Sequence, residues 1–216
     1  MTKFRDYRIG PKSGGKPKQI VLLLHGLGSN GQDLIGLAPY WASAVPDAIF
    51  ISPDAPFPCD MAPVGYQWFS LQSRDPQDMR QGVQQAEPLL NGYIDMLLEE
   101  FSLEAKDIAL VGFSQGTMMS LYVAPRRKDC VAGVLGYSGA LLGGDELGGK
   151  DIQKMPVCLI HGEADDVVPV AAWYATKETL SQHGSRVTGH TTPGLTHSID
   201  EKGIEEGAGF LMQIFA

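Results

Sequence analysis

"IALVGFSQGTMMSLYV", residues Ile108 to Val123, decides how this chain is read. Its first four residues are apolar and half of them β-branched, as in a strand buried on both faces. Its last eight include Met118, Met119, Leu121 and Tyr122, an apolar stretch suited to a helix. Between them, Gly112-Phe113-Ser114-Gln115-Gly116 puts a serine at the apex of a strand-to-helix turn. So sharp a turn is crowded, and small residues two before and two after the serine let strand and helix pass closely. This is the G-x-S-x-G nucleophile elbow. A serine hydroxyl attacks only when a base takes its proton and the backbone presents it. The helix that follows directs N–H groups and its positive dipole end toward developing negative charge. The rival reading is an ordinary glycine-rich turn ahead of a helix.

Working outward, strand-like runs recur at 20–24 ("IVLLL"), 48–51 ("AIFI"), 131–137 ("VAGVLGY") and 157–160 ("VCLI"). Helical patterns separate most of them. Leu34, Leu37, Ala38 and Trp41 recur at helix spacing, as do Leu89, Leu90, Tyr93, Ile94, Leu97 and Leu98. Further helices fit 171–182 and 201–213. Pro88 falls inside the 80–101 pattern, where it either sits in a first turn or kinks a longer helix. Alternating strands and helices predict an α/β fold, a mostly parallel central sheet with helices on both faces. No internal repeat or composition shift divides residues 1–216, so one domain is expected. The Pro- and aromatic-rich segment 52–78 is too long for a mere connector, and such segments in compact domains are usually functional. The glycine-rich 139–156 stretch is expected to be a loop with a short helix.

The 216 residues carry a formal net charge of −8, which argues against a nucleic-acid partner, since that would favour a basic surface. Three widely spaced cysteines make neither a disulfide framework nor a zinc motif, and Cys130 and Cys158 read as inert thiols in apolar runs. The N-terminal stretch has no apolar signal region, and no run approaches 18 apolar residues. A cytoplasmic protein without a membrane span is the expectation.

An elbow serine needs a histidine oriented by a carboxylate, and here the chain order is Ser, then Asp or Glu, then His. His25 and His161 fail on order; His25 suits an oxyanion loop and His161 the close of a strand. His183 reads as a surface histidine and His190 lies in the strand-like "VTGHTT". His197 lies in the turn-rich "PGLTHSI", just ahead of the last helix, where a loop can return to the sheet's carboxyl edge. For the acid, "HGEADDVVP" offers Glu163, Asp165 and Asp166, and position alone does not choose between the two aspartates. In "LLLHGLGSNGQDL", glycines after a buried strand let a backbone N–H face the reaction site. Leu27 N–H and Gln115 N–H are the natural pair to hold an oxyanion. A phosphate-binding loop is the rival for "HGLG", but the pattern is neither GxGxxG nor Walker-like.

Together, "LLLHGLGSNGQDL", "QWFSL", "LVGFSQGTMMSL", "HGEADDVVP" and "GLTHSI" resemble, in their order, the carboxylesterase/acyl-protein thioesterase family of small α/β-hydrolases. The resemblance runs from about residue 18 to the C-terminus. It implies an α/β-hydrolase fold without a large cap domain, acting on carboxylic esters, acyl thioesters and sometimes lysophospholipids. It assigns Ser114 as nucleophile, His197 as base, Asp165 as the acid, and Leu27 and Gln115 as oxyanion donors. The chain departs from the family pattern at Glu163 and Asp166, and in "VAPRRKDC", where Pro125 is expected to end the elbow helix early.

The resulting expectation is a serine carboxylesterase for short- to medium-chain acyl esters that needs no metal or cofactor. The 52–78 segment would wall the acyl groove through Met61, Tyr66, Trp68, Phe69 and Leu71. For Trp68-Phe69 the competing role is core packing that anchors the long segment. The alternatives are an acyl-protein thioesterase or lysophospholipase acting on long chains, and a catalytically silent hydrolase-fold binding protein. A small-molecule ester or thioester is the expected partner, and monomer and homodimer are both compatible with the sequence.

Overall fold

The computed structural model describes residues 4–148 and 152–216. Its strands are β1 (Asp6–Ile9), β2 (Gln19–Leu24), β3 (Ala48–Pro53), β4 (Phe57–Pro58), β5 (Tyr66–Gln67), β6 (Ile108–Phe113), β7 (Gly133–Tyr137), β8 (Val157–Gly162) and β9 (Val187–Thr192). Its helices are α1 (Gly31–Leu34), α2 (Ala38–Trp41), α3 (Pro76–Phe101), α4 (Gln115–Val123), α5 (Ala171–Gln182) and α6 (Glu201–Ile214). Seven strands form one sheet in the order β1-β3-β2-β6-β7-β8-β9, and only β1 runs antiparallel to its neighbour. β4 and β5 form a separate antiparallel pair.

The continuous apolar runs resolve into two faces because successive side chains alternate. Ile20, Leu22, Leu24, Ile108 and Leu110 enter one core with α3 and α4. Val21, Leu23, Ala109 and Val111 enter the other, against Trp41 of α2 and Phe210 and Leu211 of α6. Helix α4 lies inside the first core with every residue buried, so it has no polar face to present. It stops at Val123 and passes into a 3-10 turn at Ala124–Arg126, because Pro125 brings no N–H to continue the ladder.

Three elements differ from expectation. The helix suggested by Leu34, Leu37, Ala38 and Trp41 is broken into α1, a 3-10 turn at Ile35–Leu37 and α2. Pro39, in the first turn of α2, lacks the N–H that an unbroken α-helix would need there. By contrast, α3 runs through Pro88 for 26 residues, held by Val83, Ala86, Leu90, Tyr93, Ile94 and Leu97 on one buried face. β1 lacks an apolar pattern; it pairs Asp6 to Ile9 with Pro53 to Phe50, and Arg8 bonds Glu100 of α3. The expected short helix in 139–156 is a 3-10 turn at Gly144–Leu147, and residues 149–151 of that stretch lie outside the described residues.

β2 sends its successor β3 to one side, while β6 lies on its other side. That reversal is a topological switch point, the place where open α/β sheets bind ligands beyond the strands' carboxyl ends. Leu24 of β2 pairs with Gly112 of β6, so the turn after β2 and the serine after β6 emerge side by side.

Candidate active site

Ser114 joins β6 to α4 with φ 54 and ψ −115, a left-handed conformation that non-glycine residues avoid. The two flanking glycines are required by contact. A Cβ at Gly112 would stand 2.3 Å from Thr117 N, and one at Gly116 1.8 Å from the Leu24 carbonyl oxygen. Ser114 N donates to Tyr137 O at 2.9 Å, and Thr117 Oγ1 donates to the same oxygen at 2.8 Å, which pins the elbow to β7. Ser114 is buried but retains 8% exposure.

Asp165 follows β8 and is buried, whereas Asp166 and Glu163 are exposed. Its Oδ1 accepts from Val167 N at 2.9 Å and Val168 N at 2.8 Å, and its Oδ2 accepts from His197 Nδ1 at 2.7 Å. Burial pushes this carboxyl's pKa up, but the His197 bond and the Val168 and Val167 N–H groups outweigh it and leave the pKa lowered. A carboxylate at Nδ1 fixes the tautomer and leaves the His197 Nε2 lone pair free to take a proton. The His197 ring packs on Phe113, next to Ser114, with centroids 4.9 Å apart.

The loop carrying His197 reaches the sheet because Gly162 ends β8: a Cβ there would lie 2.1 Å from Leu195 O. Ala164 N donates to that same Leu195 carbonyl at 2.9 Å. These two contacts escaped the sequence reading, although the glycine of "HGEADD" is their signal. His161 closes its strand, as expected, and also braces the loop that carries the acid. Buried at the end of β8, its Nε2 bonds Val168 O at 2.7 Å and lies 3.3 Å from Asp165 Oδ2.

The remaining histidines face elsewhere. His183 Nδ1 bonds Thr179 O on α5, and His190 on β9 bonds Glu206 of α6. His25 is buried with Nε2 accepting from Ala55 N at 2.9 Å, so its Nδ1–H donates to Gly26 O at 2.7 Å. Burial lowers its pKa and keeps the ring neutral. Leu27 follows in the turn after β2, and a Cβ on Gly26 would stand 3.2 Å from Ser114 Cβ. Gln115 opens α4, where a first-turn N–H has no intrahelical acceptor.

The expected acyl wall is only partly placed at a cavity. Trp68 is corrected: it is wholly buried and donates its indole N–H to His25 O at 3.0 Å, so it anchors the segment and offers a substrate no surface. Phe69 borders a cavity of about 550 Å³ with Phe57, Ser70, Gln72, Ser73 and Gln81. Tyr66 is held in β5, Leu71 is half-buried against the core, and Met61 is 53% exposed. Burial pushes the Cys158 thiol up to about 12, with Glu206 adding to the rise, which suits an inert cysteine. Among the described residues no group of three or more His, Cys, Asp or Glu could hold a metal ion. Nor is any helix among them long and apolar enough to cross a membrane.

Residues 10–214 match the phospholipase/carboxylesterase family. The chain is 28% identical over 195 residues to Esterase YpfH of Escherichia coli (strain K12), covering 90% of this chain and 82% of that protein. It is 27% identical over 208 residues to Acyl-protein thioesterase 1 of Gibberella zeae, covering 88% of each. The crystal structure of esterase PE8 superposes with a TM-score of 0.93 at 35% identity, covering 98% of this chain and 99% of that one. The Bacillus cereus carboxylesterase shares the fold, with a TM-score of 0.80 at 19% identity over 98% of this chain and 95% of that one. An elbow serine, a buried aspartate bonded to a partly exposed histidine and matches that span nearly the whole length agree: the chain is a carboxylic ester hydrolase of the phospholipase/carboxylesterase family, with the α/β-hydrolase fold.

Proposed function

We propose that the chain is a serine carboxylesterase acting on short- to medium-chain acyl esters, with Ser114, His197 and Asp165 as its triad. The observation that carries this reading is the 2.7 Å Asp165–His197 bond beside a serine held at φ 54. Ser114 Oγ attacks the ester carbonyl carbon while His197 Nε2 takes its proton. Asp165 holds the imidazole and stabilises the imidazolium. The N–H groups of Leu27 and Gln115 receive the carbonyl oxygen as it becomes an oxyanion. The tetrahedral intermediate expels the alcohol or thiol, which leaves with the proton from His197. Water then attacks the acyl-enzyme with His197 again as base, releasing the acid and restoring Ser114.

The chain-length preference is supported by the small fold itself: among the described residues no separate cap domain covers the elbow, which favours a shallow, open site. The second reading is a thioesterase or lysophospholipase acting on long chains. Phe57, Met61 and Val64 favour it, being 41%, 53% and 74% exposed on one segment that an amphiphilic substrate could touch.

The test is kcat/KM across p-nitrophenyl esters of increasing chain length, with Ser114→Ala as control. A maximum at short or medium chains, abolished by the substitution, is the expected result. Rates still rising at long chains favour the second reading. Activity that survives Ser114→Ala overturns both.

A further inference from the structure

The 65–69 stretch is tied to both sides of the elbow. The wholly buried Gln115 carboxamide accepts from Trp68 N at 2.8 Å and donates to Phe69 O at 2.7 Å. Trp68 donates its indole N–H to His25 O at 3.0 Å. His25 takes the Ala55 N–H on Nε2 and gives its Nδ1–H to Gly26 O at 2.7 Å. That carbonyl belongs to the same planar peptide group as Leu27 N–H, so holding the oxygen aims the N–H opposite. Two more bonds join these segments, Gly28 N to Tyr66 O at 2.9 Å and Tyr66 N to Ser29 O at 2.8 Å. A Cβ on Gly65 would lie 2.0 Å from Gly28 O, so the 25–29 turn is closed in between Ser114 and this stretch.

We propose that the side chains of Gln115, Trp68 and His25 are positioning residues that link the two oxyanion donors, the N–H groups of Leu27 and Gln115, into one preformed hole. The inference rests on the esterase reading and on those two donors. One residue, Gln115, supplies a donor through its backbone and, through its carboxamide, grips the segment that fixes the other. The Pro- and aromatic-rich insertion then serves as a buttress for the hole as much as a wall for the acyl group. Every member is buried, and each of their side-chain nitrogens and oxygens has a partner inside the chain, so the geometry is in place before substrate arrives.

Trp68→Phe and Gln115→Met test this, with Trp41→Phe as a matched control. Trp41 is equally buried and also gives its indole N–H to a backbone carbonyl, Ile204 O at 2.9 Å, on the opposite face of the sheet. Steady-state kinetics on p-nitrophenyl butyrate, Tm, and the Kd of an alkylboronic acid that forms a tetrahedral adduct on Ser114 Oγ are measured for each. Complete loss of an oxyanion donor costs about 10²–10³ in rate, so misaiming one is expected to cost about 10- to 100-fold in kcat. The boronic acid should weaken by a similar factor, KM should hold within about twofold, and Trp41→Phe should lose Tm alone. Trp68→Phe carries the test by itself where Gln115→Met does not fold. Variants that lose Tm as Trp41→Phe does but keep kcat and boronate affinity overturn the inference. A rise in KM without a fall in kcat does so too. A wild-type chain that neither hydrolyses the ester nor is labelled by a fluorophosphonate overturns the esterase reading and this inference with it. An active wild type with kinetically unchanged variants overturns this inference alone.

Discussion

The carboxylate of Asp165 accepts the His197 Nδ1–H at 2.7 Å, across 32 positions of sequence and two strands' ends. Its other oxygen is occupied by Val167 N and Val168 N, so the carboxylate cannot turn away from the histidine.

Asp165→Asn should therefore preserve the fold and lower kcat by about 10⁴, because an amide no longer enforces the tautomer. Asp166, exposed beside it, should tolerate the same change with kcat altered by less than about twofold, in keeping with its solvated position. Parallel kinetics on the two variants decide which aspartate serves His197.

His161 bonds the Val168 carbonyl that closes the turn around Asp165. Replacing it with Phe strands a buried acceptor and should cost about 1–3 kcal/mol of stability. A fall in kcat of about tenfold is also expected as the carboxylate loses its setting, an effect of misplacement rather than lost chemistry. Chemical denaturation with kinetics below the transition separates the two effects.

Two buried groups contribute to the acid side of the stability curve. His25 has a folded pKa below its ordinary 6.5, so the unfolded chain binds that proton first. Its contribution is complete above about pH 6.5 and falls away as pH drops toward the folded value. Asp165 is also lowered, from 3.8, so its contribution holds above that value and is lost as pH falls through the folded pKa. Wild-type Tm should begin to decline below about pH 6.5 and again below about pH 4. His25→Gln should flatten the first decline only, as read by Tm against pH.

Ser114 occupies a backbone conformation suited to glycine. Ser114→Gly should abolish activity and yet stabilise the chain by about 1 kcal/mol, the relieved strain exceeding the added unfolded-state entropy. For a domain of this size that is a rise of about 2–4 °C in Tm. An unchanged or lower Tm would mean that the elbow stores no strain.

Much of the architecture could be read in advance because local pattern and burial agree. The runs 20–24, 108–111 and 157–160 inside β2, β6 and β8 are apolar without interruption, and α5 and α6 repeat at helix spacing. β1 could not be read that way, since "DYRI" owes its strand to pairing with β3 rather than to its own pattern. The break at Pro39 and the continuity at Pro88 show the same limit. One proline lies in a four-residue helix, the other in a helix whose packed face outweighs a missing hydrogen bond.

Trp68 marks the boundary most clearly. Its aromatic neighbours and the length of the insertion suggested a substrate wall, yet its indole N–H reaches back 43 positions to His25. By itself the sequence determined the parallel α/β order, the elbow, and the serine and histidine candidates. Those features follow from periodicity, from steric crowding at a turn and from the order of groups along one chain. Position along the chain left two aspartates open and the family resemblance chose Asp165; only the tertiary structure showed it bonded to His197, and that Gln115, Trp68 and His25 share one network. Such choices depend on side chains brought together by a sheet whose neighbours are far apart in sequence, where no local pattern records the contact.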